Sequence, residues 1–146
     1  MTFVSVTRLK PRNLLHLPSI AIHTWRSRAQ IETAPGFRGG YLATGPGFAL
    51  WTVTLWTDEA AMATFRAAGA HRRAMPSLAR SCSEASITHW VADGESPPSP
   101  EEAAERMQQG RTSRVRRPSP AHAAGDPWPD RRVPVRGPTL TLRDTG

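Results

Sequence analysis

The chain has 146 residues, a formal net charge of +7, 14 prolines and one cysteine. This length corresponds to about one domain with a modest core. No apolar run approaches the roughly 18 residues that span a bilayer, so we expect no membrane span. A single cysteine cannot form an internal disulfide, and the first residues lack the layout of a signal peptide, so we expect a cytoplasmic protein.

The composition changes near residue 92. Nine of the 14 prolines lie beyond it, and Trp128 is the only Phe, Trp or Tyr residue there. Such a segment buries too little apolar surface to offset the entropy of ordering it. We therefore predict a folded domain over residues 1–92 and a largely disordered tail over 93–146, with a short helix near 100–109 capped by Ser99.

The positive charge belongs mainly to the predicted domain. Residues 1–92 carry ten basic and four acidic residues, whereas 93–146 carry nine and eight. A basic domain is typical of nucleic-acid binding, but these arginines are scattered and no recognition motif accompanies them. A solvated basic surface is the favoured interpretation, and nucleic acid is disfavoured as a partner.

The first half of the domain predicts a strand, a helix and a second strand. Residues 2–10 alternate with period two, and Pro18 suits the first turn of a helix over 19–33 that ends before Ala34-Pro35-Gly36. Residues 37–43 form a weaker strand, because Gly39 and Gly40 indicate a bulge or a close approach by another backbone or a ligand.

The second half repeats the pattern. Residues 49–57 form a strand that is apolar or β-branched on both faces, so both faces should be covered. Asp58 caps a helix that stops at Gly69, and a second helical piece over 70–79 is kinked at Pro76. A fourth strand follows over 85–91. The order β-α-β-β-α-β is that of a ferredoxin-like α+β domain.

A resemblance to a known superfamily lies in the run from Trp56 to Phe65, WTDEAAMATF, and in Ala70-His71-Arg72. These residues resemble the strand-to-helix segment of the dimeric α+β barrel superfamily, which includes antibiotic-biosynthesis monooxygenase-like proteins, and most closely its spheroidene monooxygenase-like branch. The resemblance covers about residues 1–92. Its members include cofactor-free oxygenases, haem proteins and isomerases, so the fold is better indicated than the activity.

The resemblance implies a homodimer. Two four-stranded sheets would pack face to face into a barrel, and each subunit would hold a hydrophobic small molecule between its own sheet and its helices. One layer of two helices covers only one face of a sheet. The doubly apolar strand over 49–57 therefore agrees with a partner on the other face.

His71 is the first candidate for chemistry. The resemblance makes it an axial haem-iron ligand, or a general base or hydrogen-bond donor to substrate. A histidine satisfying carbonyl groups at a helix end is an equally ordinary interpretation. Arg73, with Arg72, is a candidate to bind a carboxylate or haem propionate, although a solvated helix surface also explains it.

An apolar pocket is the second prediction. The candidate substrate-binding residues are Trp25, Trp51, Met62, Phe65 and Met75. The superfamily also makes Trp56 a catalytic candidate, since a tryptophan assists oxygenation in its cofactor-free members. Core packing accounts for most of these residues equally well. Cys82 is expected to be a buried, inert thiol. Neither a flavin nor a nicotinamide motif is present.

Three functions follow from these patterns. The first is a monooxygenase-like enzyme of specialised metabolism, haem-dependent or cofactor-free, acting on a hydrophobic polycyclic or polyene molecule. The second is a non-catalytic dimeric binding module with an interacting tail. The third is a non-redox isomerase or cyclase that uses a histidine or arginine as acid or base.

Overall fold

The computed structural model describes residues 1–142, and the last four residues of the predicted tail lie outside this range. The strands are β1 (Thr2–Pro11), β2 (Phe37–Gly45), β3 (Ala49–Trp56), β4 (Cys82–Ala92), β5 (Arg111–Thr112) and β6 (Val135–Leu140). The helices are α1 (Leu17–Ile31), α2 (Glu59–Arg66), α3 (Gly69–Ser81), α4 (Pro100–Met107) and α5 (Pro120–Ala123).

The strands form one antiparallel sheet in the order β5-β4-β1-β3-β2-β6. Its four central strands, β4-β1-β3-β2, have the order that a ferredoxin-like unit requires, so the predicted α+β fold class is confirmed. The predicted starts of two helices are also confirmed. Asp58 accepts a hydrogen bond from the amide of Ala61 at the start of α2, and Pro18 lies in the first turn of α1.

The two faces of the sheet have different neighbours. On one, here called the helix face, Phe3, Trp56 and Phe37 pack with Ile31 of α1 and Met62 of α2. The opposite face, here called the tail face, carries a set of fully buried residues from β1, β2 and β3: Val4, Val6, Tyr41, Ala43, Trp51, Val53 and Leu55. The predicted covering of both faces of β3 is therefore observed.

The tail face is covered by residues that follow β4 in the same chain. Ala103, Ala104 and Met107 of α4 pack into its apolar cluster together with Trp128. The Tyr41 hydroxyl also donates a hydrogen bond of 2.6 Å to the carbonyl of Pro98. The helix α4 lies where the sequence predicted a short one. In contrast to the expected disorder, the described residues of the tail pack on the sheet, because their few apolar side chains converge on one face.

The tail also extends the sheet at both edges. Thr112 and Arg111 of β5 pair with Ser86 and Ile87, while β6 pairs with β2. Pairing of this kind satisfies backbone groups on edge strands that would otherwise be open to another chain. It needs few large apolar residues, which is why composition did not reveal it.

A buried ionic contact fastens the tail to the sheet. Arg8 of β1 is fully buried and donates hydrogen bonds to Glu84 at 2.8 Å and to Asp130 of the tail at 3.0 Å. Ser119, also in the tail, donates to the second oxygen of Glu84 at 2.9 Å. A buried guanidinium is stable only when it is paired, so Asp130 ties the tail's position to that of β1.

This arrangement bears directly on the predicted homodimer. A face-to-face barrel needs the tail face of each sheet to meet that of its partner, and α4 and Trp128 occupy that face. The structure therefore does not support a face-to-face dimer while the tail is in place. The second face of the apolar strand β3 is covered by residues of the same chain and not by a partner subunit.

The glycine pair in β2 behaves as the sequence predicted. The register of β2 against β3 shifts between Phe37 and Gly39, which marks a bulge. At Gly40 the backbone has φ +155°, and an added Cβ would lie 1.9 Å from the carbonyl oxygen of Val53. Only glycine permits this approach of the two strands.

Within residues 1–142, no helix combines the length and the apolar character needed to cross a lipid bilayer.

Candidate functional site

A cavity of about 240 Å³ lies between the helix face and the three helices α1, α2 and α3. Its floor is formed by side chains of β1 and β3, among them Ser5, Thr52 and Thr54. Its apolar walls include Ile31, Leu140 and Leu78, and one side is closed by residues 111 and 113–115 of the tail. A concave, largely apolar cavity with a few polar groups is the usual form of a small-molecule site.

Five of the predicted site residues meet at this cavity. They are Trp56, Met62, Phe65, His71 and Met75. The rings follow one another along the wall, with centroid distances of 5.3 Å from Trp56 to Phe65 and 5.1 Å from Phe65 to His71. Helix spacing explains part of this arrangement, because Met62 and Phe65 project from the same face of α2.

The other three predicted residues lie elsewhere. Trp25 of α1 is 72% exposed and does not line the cavity. Trp51 is fully buried on the tail face, where its ring meets that of Trp128 edge-on at 6.5 Å. Arg73 of α3 is exposed and also outside the lining. Strand alternation separates Trp51 from Trp56, since residues five apart in a strand point to opposite faces.

His71 is held in place by its neighbours in the chain and by α1. Its amide donates a hydrogen bond of 3.0 Å to the side-chain oxygen of Gln30, whose amide group donates to the carbonyls of Ala68 and Phe65. Gln30 thus clamps the α2–α3 junction. Gly69 permits the clamp, because it has φ +59° and its α-carbon faces the Gln30 side chain.

The contact at Nδ1 fixes the tautomer of His71. Nδ1 lies 3.3 Å from the carbonyl oxygen of Arg66, which can only accept a hydrogen bond, so Nδ1 carries the proton. Burial lowers the pKa of His71 below its ordinary value of 6.5, and the Arg66 guanidinium lowers it further, although the carbonyl contact opposes both. The neutral ring therefore has its lone pair on Nε2, which has no partner within residues 1–142. Such a ring is able to accept a proton.

Trp56 has a more restricted role. Its Nε1 donates a hydrogen bond of 2.9 Å to the Thr54 hydroxyl, which donates to the carbonyl of Ser5 at 3.4 Å. The indole N–H is therefore already used, and the side chain is fully buried. This geometry makes Trp56 a rigid wall of the cavity. Its predicted catalytic role stays a prediction.

Haem does not fit this cavity. About 240 Å³ is below the range of roughly 300–1,000 Å³ that is usual for sites enclosing drug-sized ligands. Within residues 1–142 there is no cluster of three His, Cys, Asp or Glu side chains that could hold a metal ion.

Cys82 is fully buried, and burial raises the pKa of its thiol to about 11. A thiol of that pKa carries almost no thiolate near neutral pH. The prediction of a buried thiol is confirmed, and Cys82 takes no part in the site.

The architecture has solved counterparts. Rv0793 from Mycobacterium tuberculosis superposes with a TM-score of 0.59 at 11% identity, over 64% of this chain and 97% of that one. SnoaB from Streptomyces nogalater, described as a cofactor-independent oxygenase, superposes with a TM-score of 0.54 at 16% identity, over 64% and 94%. At 11% and 16% identity these likenesses are of the fold alone. No protein-family model matches the sequence, and no curated protein is similar to it.

The superpositions cover about two thirds of this chain and nearly all of each neighbour. A share of 64% is about 93 of the 146 residues, whereas the neighbours are covered almost completely. The fold that the resemblance from Trp56 to Phe65 implies is thus confirmed. The proposed spheroidene monooxygenase-like branch stays a prediction.

Sequence reasoning missed several residues that line the cavity. Arg66 follows Met62 by four positions and Phe65 by one, so helical spacing from Met62 was a signal that would have placed it on the cavity side of α2. Thr54 follows from strand alternation with Trp56. Arg111 and Val115 had no usable signal, because they belong to a segment whose composition predicted disorder.

Proposed function

We propose that the protein is a cofactor-independent monooxygenase of specialised metabolism. Its substrate would be a planar, apolar polycyclic or polyene molecule held in the cavity, with an acidic C–H bond directed at His71. The observation that carries the proposal is the neutral His71 imidazole, with Nδ1 held by a carbonyl and Nε2 open in an aromatic cavity. The similarity in fold to SnoaB, a cofactor-independent oxygenase, agrees with it.

The reaction needs only substrate and dioxygen. His71 Nε2 would remove one proton from a substrate methylene, and the resulting carbanion would pass an electron to dioxygen. The substrate radical and superoxide would then form a C–O bond and give a peroxide. The imidazolium returns its proton to the outer oxygen, and loss of water leaves a carbonyl group. The sum converts CH₂ and O₂ into C=O and H₂O.

The remaining residues have positioning roles in this scheme. Gln30 would hold the His71 backbone, and Phe65 would orient the imidazole by ring contact at 5.1 Å. Trp56 and Met62, which are buried, would present a flat, water-free wall to the ring system. Excluding water strengthens the electrostatic interactions of a charged intermediate.

The test measures oxygen uptake with anthrone, a tricyclic ketone that has an acidic methylene group. His71→Ala should lower kcat by about 10²-fold or more, as expected for loss of a general base. His16→Ala is the matched control, because His16 pairs with Arg12 outside the cavity and should leave the rate unchanged. Chelators should have no effect.

Two results would overturn the proposal. One is an unchanged rate in the His71 variant. The other is a Soret absorbance band in protein from haem-supplied cells that is lost with His71, which would make the residue an iron ligand. Conversion of a ligand without oxygen uptake would instead favour the isomerase, because the same neutral imidazole is suited to proton transfer alone.

A further inference from the structure

The charged residues around the cavity are all of one sign. Four arginines line it, Arg28, Arg66, Arg111 and Arg114, and within the described residues the lining includes no carboxylate. Two histidines, His23 and His71, complete its titratable groups. Binding of a purely apolar ligand would not require arginines in the lining. A cationic ligand would be repelled by it.

The four arginines differ in whether their charge is already neutralised. Arg28 forms an ion pair with Glu32 at 3.2 Å, one turn further along α1. The side chains of Arg66, Arg111 and Arg114 form no ion pair and no side-chain hydrogen bond with any residue in 1–142. Their charges therefore remain available to a ligand.

Strand register places Arg111 over the helix face. Arg111 of β5 is paired directly with Ile87 of β4, and paired residues of neighbouring strands point to the same face. Ile87 lines the cavity, and the Arg111 side chain lies beside Ile87 in the same lining. Although β5 is only two residues long, its pairing with β4 thus brings a tail guanidinium to the cavity.

Arg66 of α2 and Arg111 of β5 both line the cavity. His89 follows Ile87 by two positions on the helix face, where its ring packs on Phe3 at 5.6 Å. Burial lowers the pKa of His89, and Arg111 and Arg66 both lower it further, against an opposing effect of Glu59. The charges of Arg66 and Arg111 thus act on the same histidine. Arg66 also adjoins His71, whose Nδ1 lies 3.3 Å from the Arg66 carbonyl oxygen, so one of the two arginines is next to the proposed base.

From this arrangement we infer that Arg66 and Arg111 together bind an acidic group, a carboxylate or a phenolate, on the apolar ligand of the cavity. The inference rests on the proposed function only in taking this cavity as the substrate site. Guanidinium groups recognise such oxygens through paired, charge-assisted hydrogen bonds. The tail would then do more than cover the sheet, because it would select the class of substrate.

The inference is tested by binding without turnover. Naphthalene-2-carboxylate and naphthalene-2-carboxamide have nearly the same shape and differ in charge. Their dissociation constants are measured without oxygen, by quenching of tryptophan fluorescence on the full chain. We expect the acid to bind at least tenfold more tightly at low salt, with a preference that falls as salt is added.

Variants locate the effect. Arg111→Gln and Arg66→Gln should each reduce the preference for the acid, and the double variant should bind both probes equally. Arg117→Gln, an exposed tail arginine outside the lining, is the matched control and should keep the preference. Circular dichroism of each variant checks that it is folded. Arg111 is exposed, so its replacement should not disturb the core.

Three outcomes would overturn the inference: equal binding of both probes by the unaltered protein, no binding of either probe at millimolar concentration, or a preference that survives in the double variant. These outcomes are separate from failure of the proposed function. A protein that prefers the acid yet takes up no oxygen would keep the anion site and lose the oxygenase.

Discussion

Replacing Trp128 with alanine measures whether the tail is part of the folded domain. Trp128 is 5% exposed, packs edge-on against Trp51 at 6.5 Å and donates its Nε1–H to the carbonyl of Arg132 at 3.0 Å. Removing a buried tryptophan side chain costs about 3–5 kcal/mol, which includes the lost aromatic contact. Domains of this size have total stabilities of about 5–15 kcal/mol, so a large fraction would be lost.

The assay is urea unfolding followed by far-ultraviolet circular dichroism. The free energy of unfolding should fall by about 3 kcal/mol or more in Trp128→Ala, and the melting temperature by roughly 10 °C. Trp25→Ala is the matched control. Trp25 is 72% exposed, so its replacement should change the stability by less than about 0.5 kcal/mol.

A result in which the Trp128 and Trp25 variants have the same stability would refute the packing of the tail. It would agree instead with the flexible tail that composition predicts. A large loss in Trp25→Ala alone would mean that α1 buries its outer face against something other than this chain.

Two further predictions follow. The full chain should scatter light as a single protomer of 16.0 kDa, because α4 and Trp128 occupy the tail face. Deleting residues 93–146 should uncover Val4 and Val53 and convert it to dimers or larger species, whereas the binding-module hypothesis predicts a dimer both before and after deletion. The lowered pKa of His71 means that the unfolded chain binds more protons as pH falls through 6.5. The contribution of His71 to the free energy of unfolding should therefore be fully present above that pH and be lost progressively below it. In urea titrations, His71→Gln should make the free energy of unfolding depend less steeply on pH. An unchanged pH dependence would contradict the buried, neutral ring.

Local patterns predicted much of the domain. Alternation over residues 2–10 and 49–57 gave two central strands, and Asp58 marked the start of α2 because an aspartate satisfies free amides at a helix end. The pair Gly39 and Gly40 marked a close backbone approach. These features depend on neighbours in sequence, so they can be predicted without knowledge of the tertiary structure.

Part of the site was predictable for the same reason. Met62, Phe65 and His71 are close in sequence, and short-range geometry brings them to one cavity. Trp51 lies apart from them on the tail face, because tryptophan content indicates burial but not the face of the sheet. Trp25 and Arg73 are exposed and lie outside the cavity lining, because proximity in sequence does not show which side of a helix meets the sheet.

The sequence by itself determined the order of strands and helices in the first 92 residues, the local ends of its helices and the aromatic character of the site. Only the tertiary structure decided what covers the second face of the sheet and where the tail arginines lie. The reason is physical. Ala103, Met107 and Trp128 are too sparse to form a core of their own, and they are buried only because β1, β2 and β3 present an apolar face to them.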